Sequence, residues 1–340
     1  MKTKYVLLFL ISHISYLISF SQTPTPEYKK YDWEPEPKPY TVAAADAKEN
    51  TIVEKEFVMV EYIYIYNEKG EGTLNSFYTE HKIIKANTDK GIEDNNKVYI
   101  SMSNAVAFVD LKARCISKTG KISLLDTKNI KYVEDYEGAG PYKIFAIEGA
   151  ETGGEIEYIY TLQKYTSHFG REYFQNDNLR KNVQLQIISP SNLIYEAKSY
   201  NGFPDFKKDS LLYNKNRISA KADRIEPLKS EKYAAYTNNR ARVEYKLAYN
   251  TANGKSRVLS WSAAGERYFN IYSVTDKKLL KKMEPLLKEM KLSTKNSDEE
   301  KIRTIESYIK THFSQKKNDQ PFFGCPYSGW SDSICNDIFS

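Results

Sequence analysis

The chain has 340 residues, with 50 Lys and Arg against 44 Asp and Glu, 28 tyrosines and three cysteines. The net charge of +6 is interleaved along the whole length, which excludes the concentrated basic face of a nucleic-acid binder. Three cysteines permit at most one intramolecular disulfide, so covalent staples do not hold this fold together.

Residues 1–21, MKTKYVLLFLISHISYLISFS, read as a secretory signal peptide. Lys2 and Lys4 precede an apolar run from Tyr5 to Phe20, and Ser19 and Ser21 stand where a signal peptidase reads small residues. Cleavage is expected before Gln22, giving an exported protein of the periplasm or cell envelope with no stable transmembrane segment. Loss of Lys2 and Lys4 lowers the net charge to +4. Residues 22–49 form a leader with five prolines between 22 and 40, expected to be extended and mobile because proline resists both helix and sheet.

From 50 to 265 the texture is that of strands. FVMVEYIYIY (57–66) and SFYTEHKIIKA (76–86) flank the glycine turn NEKGEG, a hairpin signature. AVAFVDLKARCIS (105–117) meets KISLLD (121–126) across Lys118, Thr119 and Gly120, again a hairpin. Further strand candidates are YKIFAI (142–147), GEIEYIYTLQKY (154–165), NVQLQIIS (182–189), NLIYEAKSY (192–200), ARVEYKLAY (241–249) and SRVLSWS (256–262). Many short strands with glycine turns predict a mainly β chain, an antiparallel β-sandwich followed by a short C-terminal helical segment. Alternation puts Val109, Leu111, Ala113 and Cys115 on one face, making Cys115 a small core hydrophobe.

Residues 266–315 turn helical. DKKLLKKMEPLLKEM (276–290) carries a stripe of Leu279, Leu280, Met283, Leu286, Leu287 and Met290, with Pro285 as a kink or restart. SDEEKIRTIESYIKTHF (297–313) opens with Ser297 and Glu300 in capping-box spacing and presents Ile302, Ile305, Ile309 and Phe313. Residues 316–340 form an irregular tail holding Cys325 and Cys335.

The order of these segments resembles the domain-of-unknown-function family numbered 3857. The stretches that carry the resemblance are HKIIKANTDKGIEDNNKVYI (81–100), VDLKARCISKTGKISLLD (109–126) and KIFAIEGAETGGEIEYIYTLQ (143–163). Gly120, Gly149, Gly154, Glu157 and Tyr158 occupy places comparable to the family's own. That family's β-rich domain commonly precedes a transglutaminase-like domain, and residues 297–315 are similar to that domain's opening helix. The resemblance implies a cysteine nucleophile followed along the chain by a histidine base and an aspartate.

That order is not met here. His13, His81, His168 and His312 all precede Cys325 and Cys335. The two tail cysteines could close a loop disulfide, and a metal site from His312, Cys325 and Cys335 has odd spacing and no fourth ligand. A frameshifted or early-stopped reading frame is the favoured account of the tail. No Walker A, Rossmann, HExxH or GxSxG motif occurs. Acid pairs such as Glu134–Asp135 and Glu155/Glu157 read as solvated strand faces rather than glycosidase carboxylates. No catalytic, cofactor-binding or metal-ligating residue is assigned. The expected function is binding or scaffolding against an envelope glycan, peptide or protein; the alternative is a divergent thiol amidase or transglutaminase-like enzyme using Cys325.

Overall fold

The computed structural model describes residues 25–312, apart from 210, 211, 213, 255, 274 and 275. The proposed signal sequence and both tail cysteines therefore lie outside the described residues. The chain divides at Val258/Leu259 into two units.

The first unit begins with a short turn of helix, α1 (Glu27–Lys30), and continues into β1 (Thr51–Tyr66) and β2 (Gly72–Ala86). These two pair as the expected hairpin, with Gly70 at φ 79° in the turn. After helix α2 (Asp89–Asn95) come β3 (Lys97–Ser101), β4 (Ala105–Ile116), β5 (Ile122–Leu124), β6 (Lys131–Val133) and β7 (Tyr142–Ala146). Then follow β8 (Glu155–Lys164), β9 (Phe169–Tyr173), β10 (Leu179–Pro190), β11 (Leu193–Tyr200), β12 (Lys207–Asp209) and β13 (Lys215–Ile225). Helix α3 (Tyr236–Asn239) and β14 (Arg242–Asn250) complete the unit.

The strands build an eight-stranded sheet, ordered β12-β13-β10-β1-β2-β8-β4-β5, and two three-stranded sheets, β11-β14-β9 and β3-β7-β6. The mainly β class and the helices that follow agree with the sequence. All pairs are antiparallel except one: β1 and β10 run parallel at the centre of the large sheet. A parallel pair needs a long crossover, and here β2 to β9 supply it.

Both small sheets pack on one face of the large sheet. Val58, Val60 and Tyr62 of β1 enter a single core with Tyr195 and Val243 from one small sheet and Val98 and Phe145 from the other. Tyr62 stacks on Tyr195 with ring centroids 4.4 Å apart, and Phe145 meets Tyr158 edge-on at 6.4 Å. Because side chains alternate across a strand, Phe57, Met59 and Glu61 point to the opposite face.

Some local expectations change. SRVLSWS is not a strand: Arg257 makes one isolated bridge to Tyr249, and Ser260 caps a helix that starts at Trp261. In β4 the register shifts between Phe108 and Asp110, so Val109 turns outward at 40% exposure while Ala113 and Cys115 remain buried.

Gly170 of β9 pairs across from Tyr245 of β14, and the tyrosine ring lies over it. A methyl at Gly170 would stand 2.0 Å from the ring carbon that bears the hydroxyl. Gly170→Ala is expected to cost about 1–3 kcal/mol by overpacking, read as a lower urea midpoint.

The second unit contains α4 (Trp261–Tyr272), α5 (Lys277–Glu289) and α6 (Asp298–His312). Helix α5 runs through Pro285 rather than restarting. The capping box forms as read: Ser297 N–H donates to Glu300 at 2.8 Å and Glu300 N–H donates back to Ser297 Oγ at 3.2 Å. The apolar stripes are largely open to solvent, with Ile302 66% and Ile309 51% exposed.

Candidate functional site

One face of the large sheet is not covered by the small sheets, and residues 25–46 of the leader lie across part of it as a strap. The leader is extended between α1 and a helical turn at Ala44–Asp46, and it is held by side chains along its length. Tyr28 stacks on Phe77 and Tyr31 on Phe57, each with centroids 4.4 Å apart. The backbone N–H groups of Tyr28 and Tyr40 donate to the buried carboxylates of Glu61 and Glu155, at 2.9 and 2.5 Å. Trp33 covers the Arg114 guanidinium at 4.2 Å, and Asp32 pairs with Lys112 at 2.9 Å. Asp46, at the far end, pairs with Lys181 at 2.9 Å and Arg224 at 3.0 Å.

Beneath the middle of this strap sits a buried latch. His81 Nε2 lies 2.8 Å from Glu157, and Arg114 Nε donates to the other Glu157 oxygen at 2.5 Å. Arg114 also donates to the Glu34 carbonyl of the strap at 2.6 Å. A carboxylate only accepts, so His81 carries its proton on Nε2 and the Tyr31 hydroxyl donates to Nδ1 at 2.8 Å. Burial holds the His81 pKa below its usual value, against the opposing pull of Glu157. Burial would raise Glu157, but the hydrogen bonds from His81 and Arg114 outweigh it and keep this carboxyl low. Both ring nitrogens are therefore engaged, Nδ1 with Tyr31 of the strap and Nε2 with Glu157 of β8. Glu155 and Glu157 are buried rather than solvated, and Glu155 pairs with Lys85 at 3.2 Å.

Beside the strap the sheet face stays open, leaving a groove of about 350 Å³. Its floor is Lys55, Phe57 and Met59 from β1, Gln184, Gln186 and Ile188 from β10 and Arg217 from β13; its wall is Glu27, Lys30 and Tyr31. The alternation Val-Gln-Leu-Gln-Ile in β10 aims valine and leucine into the core and both glutamines at the groove. That pattern was the available signal for this surface. The groove as a whole was not legible, because its residues are spread from 27 to 217.

On the other face, a charged layer runs between the sheets. Arg180 pairs with Glu56, Lys82 bridges Glu56 at 3.1 Å and Glu80 at 2.6 Å, and Tyr160 donates to Glu80 at 2.6 Å. Tyr78 lies 3.5 Å from Glu172, with the Lys164 ammonium 3.5 Å over its ring. Burial raises the Glu172 pKa to about 7, opposed by Lys164 and assisted by Glu80 and Glu56.

The residues singled out in the sequence do not converge. Cys115 is buried in the core, its thiol facing the Ile147 carbonyl at 3.8 Å and pushed up to about 11 by burial. It should therefore resist iodoacetamide at pH 8 in the native protein and react fully once unfolded, as peptide mass mapping would read. His168 is exposed, and His312 stacks on Tyr308 at the exposed end of α6. Glu134 and Asp135 are exposed. Cys325 and Cys335 lie outside the described residues, and so does any site or disulfide built on them. Among the described residues, no three His, Cys, Asp or Glu side chains converge where a metal ion could sit.

No protein of curated function matches the chain. Among solved structures it is similar to a protein described as a "putative protease" from Parabacteroides distasonis, at 12% identity and a TM-score of 0.49, covering 78% of this chain and 51% of that one. It is also similar to an M1 zinc metallopeptidase from Deinococcus radiodurans, at 6% identity and a TM-score of 0.27, covering 58% of this chain and 42% of that one. The chain thus spans about half the length of these proteins or less, and at such scores neither likeness bears on its chemistry. The sequence match is firmer: residues 75–264, more than half of the chain, fit the family described as "Domain of Unknown Function with solved-structure structure (DUF3857)". That stretch runs from within β2 through β14 and includes Glu157 of the latch and both groove glutamines. The chain belongs to the DUF3857 family.

Proposed function

We propose that this protein is exported and acts at the bacterial cell envelope as a non-catalytic binding or scaffolding module. In this reading the β-domain engages an envelope component, and α4–α6 are the opening of a transglutaminase-like domain. The observation that carries it is the uncovered groove beside the strap. It is an open surface of mixed polar and apolar groups, while the neighbouring histidine and the core thiol are committed to structural contacts. Export rests on the charged and apolar character of residues 1–21. The capping box and acidic first turn of α6 support the transglutaminase-like reading of the helices.

The test is expression of the full chain in a Gram-negative host, followed by fractionation, N-terminal sequencing and incubation with purified cell-wall sacculi. The proposal expects a mature protein starting at Gln22 outside the cytoplasm and retained on sacculi. An uncleaved cytoplasmic protein, or selective fast alkylation of Cys325 accompanied by amidase activity, would overturn it.

A further inference from the structure

We propose that the groove beside the strap binds a carboxylate-bearing peptide in extended form, lying along β10. This rests on the binding reading above and names its ligand.

The polar groups of the groove are unevenly matched. The Glu27 carboxylate is taken by Lys30 at 2.8 Å and by Lys215 at 3.4 Å. Lys55 has no acid within ion-pair distance among the described residues; its ammonium rests 5.8 Å over the Tyr31 ring. Arg217 gives one terminal nitrogen to Asp209, and its remaining N–H groups have no partner among the described residues. Two cationic side chains thus stand on the floor with capacity for an anion. A carboxylate suits both, since it accepts from an ammonium and from a guanidinium.

The glutamines select the body of the ligand. Gln184 and Gln186 are half-buried, and neither side-chain amide has a hydrogen-bond partner among the described residues. Two residues apart on one strand, they repeat at roughly 6–7 Å, the same repeat at which an extended peptide presents its backbone groups to one side. Each amide both donates and accepts, which matches a peptide N–H and C=O. Met59 and Ile188 lie beneath the groove, buried under Tyr28, Tyr31 and Leu212, and fix the floor on which the polar groups stand.

A sugar fits less well. Sugars stack on open aromatic faces, but Tyr31 and Phe57 stack on each other, and Lys55 stands over Tyr31. The geometry favours the peptide.

The experiment titrates the isotope-labelled full chain with acetyl-Ala-Val-Glu-Val-Ala-amide, its glutamine counterpart and trigalacturonic acid, followed by amide NMR shifts. The proposal expects shifts centred on β10 and β1, with the glutamate peptide bound at least tenfold more tightly than the glutamine peptide. Lys55→Gln and Arg217→Gln should each erase most of that difference, while Gln184→Ala weakens both peptides alike. Thermal melts and unchanged spectra elsewhere confirm that each variant is folded.

Equal affinity for the two peptides, preference for the sugar acid, or shifts that leave the groove untouched would overturn the proposal. Sacculus retention is scored separately. Retention that survives in Lys55→Gln alongside silent peptide titrations sinks the groove ligand and leaves the envelope reading standing. Absence of retention in the unmodified chain sinks the envelope reading whatever the peptides do.

Discussion

Glu157→Ala is expected to destabilise the β-domain by about 3–5 kcal/mol, the range for removing one partner of a buried ion pair. The loss has a specific origin. Arg114 and His81 both direct an N–H at Glu157 from positions almost wholly out of solvent. Truncation leaves the guanidinium with the Glu34 carbonyl and the Trp33 ring but no counter-charge. Since a domain of this size typically holds only about 5–15 kcal/mol of net stability, much of it would go. Removing both charges, as in Arg114→Met with Glu157→Leu, should cost less than Glu157→Ala alone, because no unpaired ion is left inside. Urea unfolding measures each variant.

Acid should act on the same latch. The folded pKa values of His81 and Glu157 both lie below their ordinary values of 6.5 and 4.5. For a lowered group, the stabilisation is fully present above the unfolded pKa and is lost as the pH falls through the folded one. The strap is therefore secure at neutral pH. Stability begins to fall below about 6.5, where the unfolded chain's His81 takes up a proton that the folded one resists beside Lys55 and Arg114, and falls again below about 4.5 for Glu157. The folded latch itself is protonated only at lower pH than these.

The second large effect runs the other way. Glu172→Gln should stabilise the protein by about 2–3 kcal/mol at pH 8 and by close to nothing at pH 4.5. This carboxyl is raised from 4.5 to about 7, and one pKa unit corresponds to about 1.4 kcal/mol, reduced somewhat because the group is half-buried. A raised group contributes its stabilisation below the unfolded value and loses it as the pH rises through the folded value. The wild-type protein carries this cost above pH 7 and the glutamine variant does not. The difference between the two stability curves isolates Glu172 from the oppositely signed latch groups. A difference independent of pH would mean that Glu172 is not held near neutrality by its surroundings.

Local chemistry made part of this architecture readable. The β1–β2 and β4–β5 hairpins follow from β-branched and aromatic runs broken by Gly70 and Gly120, both at positive φ. The α6 start follows from the spacing of Ser297 and Glu300. What escaped depends on partners distant in sequence. The parallel β1–β10 pair has no local signature, since either strand alone reads the same with any neighbour. Strand β13 hides its pattern because Ala220 and Ala222 supply the buried face while Lys221 and Asp223 supply the outer one, a weak hydrophobic contrast. SRVLSWS carries strand-forming residues, yet Ser260 caps Ala263 N–H and starts a helix instead.

The strap shows the same division. Its prolines predict extended chain, which it is between α1 and the turn at Ala44–Asp46, but extension says nothing about attachment. Attachment comes from Tyr31 meeting His81 and from Glu34 meeting Arg114, pairs separated by 50 and 80 residues. Glu155 and Glu157 look like a solvated strand face in sequence, whereas that face lies under the leader.

The account turns on residues 25–46 being an integral part of the sheet face and the wall of the groove. Amide hydrogen exchange at Tyr28 and Tyr40 tests this most directly, because their N–H groups donate to the buried carboxylates of Glu61 and Glu155. The account predicts that both amides exchange orders of magnitude more slowly than unstructured chain at pH 7, and that protection drops on acidification toward pH 4. Exchange at the rate of free chain, with β1 and β2 still protected, would contradict it.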